Sequence, residues 1–67
     1  MHSILTRRER EIFTRLVDNK TTQIIAGELG ISEKTVRNHI SNVMGKLGAA
    51  SRIQAVLELI RLNELKL

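Results

Sequence analysis

The sequence predicts an all-α domain of four short helices. Apolar residues recur at helical spacing in four segments, and each segment has its own start or stop signal. No segment alternates apolar and polar residues with period two, and no hairpin dipeptide such as Asn-Gly occurs. The chain has 67 residues, which is too short for two domains, so we expect a single domain over residues 1–67.

The composition excludes several classes of protein. The chain has no cysteine, which rules out a disulfide scaffold and a Cys-based zinc site. Its longest apolar runs are two or three residues, whereas a membrane-spanning helix needs about 20. Lys and Arg outnumber Asp and Glu by 11 to 7, and the resulting net charge of +4 favours a polyanionic partner such as nucleic acid.

We expect neither catalysis nor a cofactor. A chain this short does not easily enclose a substrate pocket. No set of Ser, His and Asp has the spacing of a nucleophilic site, and no glycine-rich phosphate loop occurs. The two histidines, His2 and His39, lie far apart and lack a carboxylate partner suited to zinc, so we expect no metal site.

The first two helices are predicted over residues 7–17 and 22–29. Thr6 caps the first, and Glu9 three residues later completes a capping box. Thr21 caps the second, and Gly30 ends it because glycine tolerates the left-handed conformation beyond a helix end. The apolar stripes consist of Ile12, Phe13 and Leu16 in the first helix and of Ile25, Ala26 and Leu29 in the second.

The last two helices are predicted over residues 33–47 and 52–62. Ser32 begins the third helix and Gly48 ends it, while Ser51 with Gln54 gives the fourth a second capping box. The third helix has one apolar stripe, formed by Val36, Ile40, Val43, Met44 and Leu47. The fourth has two adjacent apolar faces, one with Ala55, Val56, Leu59 and Leu62 and the other with Ile53, Leu57 and Ile60.

The stretch from residue 22 to residue 41 has the features of a helix-turn-helix. Ala26 supplies the small side chain where two helices cross closely, and Gly30 supplies the turn. Ile31 fills the gap between the helices, and Ser32 begins a second helix that buries one stripe and exposes the other. The pattern therefore predicts a DNA-reading third helix.

The exposed stripe of that helix suits the DNA major groove. Arg37 can donate two hydrogen bonds to guanine, and Asn38 can pair with adenine. Lys34 and Ser41 can reach a base or a phosphate. The alternative is an ordinary solvated face, but the small residue, the glycine turn, the capped helix and the polar face occur together and favour groove binding.

These motifs resemble the LuxR-type DNA-binding domain. The resemblance rests on residues 5–13 (LTRREREIF), 25–26 (IA), 31–39 (ISEKTVRNH), 46–48 (KLG) and 52–56 (RIQAV). It implies a four-helix domain with its third helix in the major groove and its fourth helix pairing two subunits. Residues 31–42 and 58–67 are most similar to the single-domain members that control late sporulation genes in spore-forming bacilli.

The resemblance also assigns roles to individual residues. The family's base-reading positions fall on Arg37, Asn38 and Ser41. Lys34 matches a phosphate position, and we also count it among the expected base readers because its side chain can reach a base. Thr21 and Thr22 open the second helix, whose free backbone N–H groups suit a phosphate; together with Thr35, His39 and Lys46 they are the expected phosphate contacts. Ile24 departs from the family, which usually has an acidic residue there.

The second apolar face of the fourth helix predicts a homodimer. Ile53, Leu57 and Ile60 would be exposed in a monomer, and a two-fold dimer would bury the patch twice. Such a dimer would bind a pseudo-palindromic site. The alternative is that the N-terminal segment, including Ile4 and Leu5, covers the patch.

The sequence is also compatible with two different kinds of domain. A domain like region 4 of a sigma factor would bind promoter DNA as a monomer, and a helical protein-interaction or membrane-surface domain would use the fourth helix instead. Arg52 either contacts a phosphate or pairs with Glu9 or Glu11. We expect a bacterial cytoplasmic protein associated with the nucleoid, with double-stranded DNA as its partner, RNA polymerase as a further partner and no membrane.

Overall fold

The computed structural model describes residues 3–67 and contains four helices. They are α1 (Arg7–Val17), α2 (Thr22–Leu29), α3 (Glu33–Leu47) and α4 (Arg52–Arg61). No strand occurs in the described part of the chain. The predicted all-α class and the first three ranges are confirmed, whereas the fourth helix ends at Arg61, one residue before its predicted end.

Each helix is capped at its start by the Ser or Thr that the sequence indicated, which lies one residue before the helix. In each case the hydroxyl of the capping residue accepts from the backbone N–H three residues later. The pairs are Thr6 with Glu9 (3.1 Å), Thr21 with Ile24 (3.2 Å), Ser32 with Thr35 (3.0 Å) and Ser51 with Gln54 (3.1 Å). At α1 the capping box is complete, because the Thr6 amide donates to Glu9 Oε1 at 2.9 Å. At α4 the predicted box is wrong in one half. Gln54 Oε1 accepts from the amide of Ala50, at 2.6 Å, rather than from that of Ser51.

All four helices end in the same way. A residue with positive φ follows each one: Asn19 (64°), Gly30 (68°), Gly48 (64°) and Asn63 (60°). In each case the next amide reaches back to a carbonyl in the last turn, as Ile31 N–H does to Ala26 O at 3.0 Å. This pattern satisfies backbone groups that a helix end leaves unpaired. The stops predicted at Gly30 and Gly48 are confirmed.

The core lies around α3, which packs against the other three helices. The largest fully buried side chains are Phe13, Ile12, Ile25, Leu59, Val36 and Val43. The predicted apolar stripe of α3 faces the core. Val36, Ile40 and Val43 are buried, and Met44 and Leu47 are partly buried against them. Because the other three helices pack against α3, its orientation is fixed, and its remaining face is exposed to solvent.

The segment after α4 completes the core in a way that the sequence pattern did not indicate. The sequence pattern placed Leu62 on the same face of the fourth helix as Ala55, Val56 and Leu59, but 42% of it is exposed. The reason is that α4 ends at Arg61 and Asn63 turns the chain, so Leu65 is the residue that becomes buried. Arg10 of α1 holds this segment through an ion pair with Glu64, with Nη2 and Oε1 2.8 Å apart.

Candidate nucleic-acid interface

α2 and α3 form a helix-turn-helix. Three residues separate them, beginning with Gly30, whose φ of 68° few other residues adopt at low cost. Ala26 is buried where the two helices pack, and Ile31 is half-buried behind the turn. The predicted small residue, glycine turn and apolar plug are therefore brought together as the motif requires.

The expected base readers share the solvent face of α3. Lys34, Arg37, Asn38 and Ser41 are all exposed. Their spacing places them on one side of the helix, opposite the buried stripe of Val36, Ile40 and Val43. They lie within the first turns of the helix, the part of a recognition helix that reaches base edges. This face carries a guanidinium, an ammonium, an amide and a hydroxyl group.

Arg37 is paired with an acidic residue on its own helix. Its Nη1 lies 3.3 Å from Oε2 of Glu33, one turn earlier. Both side chains are about half exposed, with 54% of Arg37 and 43% of Glu33 accessible. Sequence reasoning missed this contact, although the i, i+4 spacing of Glu and Arg was a signal for it.

Of the three phosphate contacts expected at the two helix starts, Thr21 and Thr35 have hydroxyls that take part in the capping interactions. The Thr21 hydroxyl accepts from the amide of Ile24, and Thr22, the first residue of α2, is half-buried. The Thr35 hydroxyl lies 2.9 Å from the Ser32 hydroxyl at the start of α3. Capping fixes these helix ends and leaves the remaining backbone N–H groups of the first turn pointing outward, where an anion can accept from them.

His39 and Lys46 lie on one flank of α3. His39 is half-buried, whereas Lys46 carries a contact that the sequence did not indicate. The Lys46 ammonium lies 2.6 Å from Glu9 Oε1 and donates to the carbonyl of Ile4 at 3.3 Å. The charge of Lys46 is therefore already paired within the protein. A phosphate can reach Lys46 only from the solvent side, where 36% of the side chain is exposed.

Glu9 is the one buried charged residue among those described, with 3% of its surface exposed. Burial by itself would raise the pKa of the Glu9 carboxyl. Hydrogen bonds from Lys46 Nζ and from the Thr6 amide outweigh burial, so the pKa lies below its ordinary value of 4.5. The carboxylate thus stays ionised at neutral pH and joins the start of α1 to the end of α3.

The second apolar face of α4 is only partly as expected. Ile53 and Leu57 are 72% and 62% exposed. Ile60 was expected to be exposed but is half-buried, because it packs against the core. Within the described residues, the N-terminal segment from Ser3 onward does not cover the patch, since Leu5 is buried in the core and Ile4 lies beside Lys46.

A groove of about 330 Å³ runs along this face of α4. Its apolar lining comes from α1, α4 and the last residue of the chain and consists of Leu16, Val17, Ile53, Val56, Leu57, Ile60 and Leu67. Lys20 and Arg52 stand at its polar margin. Arg52 makes neither of the internal pairs considered for it, because Glu9 is paired with Lys46 and Glu11 with Arg8.

The described part of the chain holds neither a metal-binding cluster nor a membrane-spanning helix. Within residues 3–67 no three His, Asp or Glu side chains are grouped closely enough to hold a metal ion, and His2 lies outside this range. No helix in the same range combines the length and apolar content that a membrane span requires.

The chain is similar to known bacterial regulators. A family model for bacterial regulatory proteins of the luxR family matches residues 3–59. The chain is 66% identical over 64 residues to the spore germination protein GerE of Bacillus subtilis (strain 168), which covers 96% of this chain and 86% of that protein. It is 47% identical over 58 residues to the transcriptional regulatory protein DegU of Brevibacillus brevis, and this match covers 87% of the chain but 25% of that protein.

A solved structure leads to the same family. The structure of the transcription factor GerE matches with a TM-score of 0.94 at 60% identity, and 97% of each chain is covered. The family consists of transcription regulators rather than enzymes, in agreement with the absence of catalysis expected from the sequence. The chain therefore belongs to the luxR family of bacterial regulatory proteins and is a DNA-binding transcription regulator.

Proposed function

We propose that the protein recognises a pseudo-palindromic promoter sequence as a homodimer. Arg37 and Asn38 read base edges in the major groove, and Lys34 and Ser41 assist them. Thr21, Thr22, Thr35, His39 and Lys46 face the phosphate backbone. The observation that carries the proposal is the division of α3 into a fully buried stripe and an exposed polar stripe.

The chemistry of the exposed stripe supports base reading over backbone binding alone. A guanidinium and a carboxamide can each make two hydrogen bonds to one base, which an ammonium or a hydroxyl cannot do with the same selectivity. Affinity comes mainly from phosphate contacts, which suits a chain with a net charge of +4. Binding should therefore weaken steeply as the salt concentration rises.

The size of the fold supports a dimer. The longest dimension of the chain is 28 Å, whereas two half-sites on one face of the duplex lie about 34 Å apart. One copy with one recognition helix cannot read both half-sites. The exposed Ile53 and Leu57 on α4, with the adjoining groove, give a second copy an apolar surface to bury.

The relatives support a cellular role. The similarity to the spore germination protein GerE suits control of late sporulation genes. A regulator that binds chromosomal DNA acts in the bacterial cytoplasm, associated with the nucleoid. RNA polymerase is a further proposed partner, because transcription regulators act on promoters that the polymerase occupies.

Selection from a random duplex library tests the proposal. Binders are selected at two salt concentrations and sequenced. We expect a two-fold symmetric motif with half-sites about one helical turn apart. Binding that disappears with salt and enriches no motif would contradict the proposal, because the protein would then have backbone affinity only. An asymmetric motif of a single half-site would contradict the homodimer.

A further inference from the structure

An acidic side chain stands in the part of α3 that enters the groove. Glu33 is the first residue of α3 and the only acidic residue on this helix. Its carboxylate lies 3.3 Å from the guanidinium of Arg37. A negative charge here repels the phosphates on either side of the groove. The contact with Arg37 suggests why a negative charge is present at a position where it disfavours DNA binding.

The pair is weak enough to compete with DNA. Both side chains are about half exposed, so water and salt screen their attraction. Arginine has five N–H donors, and the contact with Glu33 engages Nη1 alone. The guanidinium therefore keeps enough donors for a two-bond contact with guanine while Glu33 restricts its direction.

We propose that Glu33 is a specificity-determining residue that keeps Arg37 from binding phosphates and directs it to a base. Without Glu33, the long Arg37 side chain would be free to reach the nearest phosphate on any sequence. With Glu33, a phosphate must replace the carboxylate, whereas a guanine edge need not. This inference rests on the proposed base-reading role of Arg37.

The test compares Glu33→Gln with wild type on two duplexes. One contains the motif enriched by selection, and the other contains the same bases shuffled. We expect Glu33→Gln to bind the shuffled duplex at least about threefold more tightly, with a salt slope steeper by about 0.9, the value for one added phosphate contact. Affinity for the motif duplex should change less, so the ratio between the two falls.

Glu11→Gln is the matched control. Glu11 is also a partly exposed carboxylate in an ion pair within one helix, 39% exposed and 3.6 Å from Arg8. The control removes the same charge and should leave the ratio unchanged. An equal effect of both variants would overturn the proposal, because net charge alone would explain it. Far-UV circular dichroism verifies that each variant is helical.

The Arg37→Ala background separates the proposal from the function on which it rests. If Glu33 acts through Arg37, Glu33→Gln changes the ratio in wild type but not in Arg37→Ala. An unchanged ratio in the wild-type background, with base preference still dependent on Arg37, would overturn the role of Glu33 alone. If Arg37→Ala itself leaves the base preference intact, the proposed reading by Arg37 fails first, and the role of Glu33 fails with it.

Discussion

At the scale of single residues, the exposed side chains of α3 differ in how selectively they can contact a base. Arg37 and Asn38 have paired hydrogen-bonding atoms in a fixed plane, whereas Lys34 offers a mobile point charge. All three are exposed and none is needed by the core. Their substitution should therefore alter DNA binding while the fold remains intact.

Replacing Asn38 with alanine tests one reader. We expect Asn38→Ala to cost about 1–3 kcal/mol of binding free energy at one base pair and to relax the preference there. The measurement is a titration of motif duplexes that carry each substitution at that position. Gln23→Ala is the control, because this exposed amide lies on α2; it should leave base preference unchanged. An equal loss on motif and shuffled duplexes would show that Asn38 is not a reader.

Glu9 is a residue whose importance depends on pH. Its folded pKa lies below the ordinary value of 4.5. The ionised Glu9 carboxylate therefore stabilises the fold above about pH 4.5. This stabilisation is lost as the pH falls through the lower pKa of Glu9 in the folded state. We expect Glu9→Gln to lower the free energy of unfolding by about 1–3 kcal/mol at pH 7. The difference from wild type should shrink at acidic pH.

Urea unfolding from pH 3 to pH 7 measures this dependence. Gln retains the helix-capping geometry at this position, so the variant isolates the charge. Glu11→Gln serves as control, because its partly exposed carboxylate is paired with Arg8 on the same helix. A pH profile of Glu9→Gln parallel to that of wild type would mean that the pair with Lys46 contributes nothing to stability.

At the scale of the elements, the ends of the helices explain how accurately the fold could be predicted. Four Ser or Thr caps and two glycine stops are local signals, and they fixed most of the boundaries. The Gln54 contact with Ala50 and the turn at Asn63 depend on how the chain leaves the helix, which periodicity does not contain. The pattern consequently continued the fourth helix and its apolar face to Leu62, and the burial of Leu65 was missed.

The candidate site was predictable to a different degree. The positions of the proposed base readers follow from the position of the turn and from helical spacing, so the sequence alone was enough to place these residues on one face. The pair between Glu9 and Lys46 joins residues 37 positions apart in the chain. No local pattern indicates such a contact, and Lys46 was for that reason expected to contact phosphate only.

Two glycines, one within α2 and one at its end, test the physical basis of its stability. Gly27 lies within the helix, and a Cβ there would meet no atom within 4 Å. We expect Gly27→Ala to stabilise the fold by about 0.5–1 kcal/mol, because alanine loses less backbone entropy. Gly30→Ala should destabilise it by about 1–2 kcal/mol, because φ is 68° there. Thermal unfolding of both variants measures the effect, and a destabilised Gly27→Ala would contradict this expectation.

At the scale of the whole molecule, the small core makes a partner surface important. A chain of 67 residues buries a limited apolar area, yet α4 leaves Ile53 and Leu57 in solvent. A second copy on this surface would add burial and duplicate the recognition helix at the same time. Dimerisation and DNA recognition would then depend on one another, since each half-site alone offers half the contacts.

Leu57→Glu tests this coupling. We expect the variant to sediment as a monomer and to bind the motif duplex more weakly, because a charge replaces an apolar contact at the interface. Ile24→Glu is the control for sedimentation, since this residue is also apolar and is 49% exposed but lies on α2. A Leu57→Glu variant that sediments like the wild type as a dimer would show that the interface lies elsewhere.

Repeating the library selection with Arg37→Ala/Asn38→Ala beside the wild type tests most directly whether the exposed face of α3 reads DNA sequence. We expect the wild type to enrich a symmetric motif. The double variant should lose the preference at the bases these two residues read, while its salt-dependent binding remains. Enrichment of the same motif by both proteins would contradict reading by this face, because base recognition would then come from another part of the molecule.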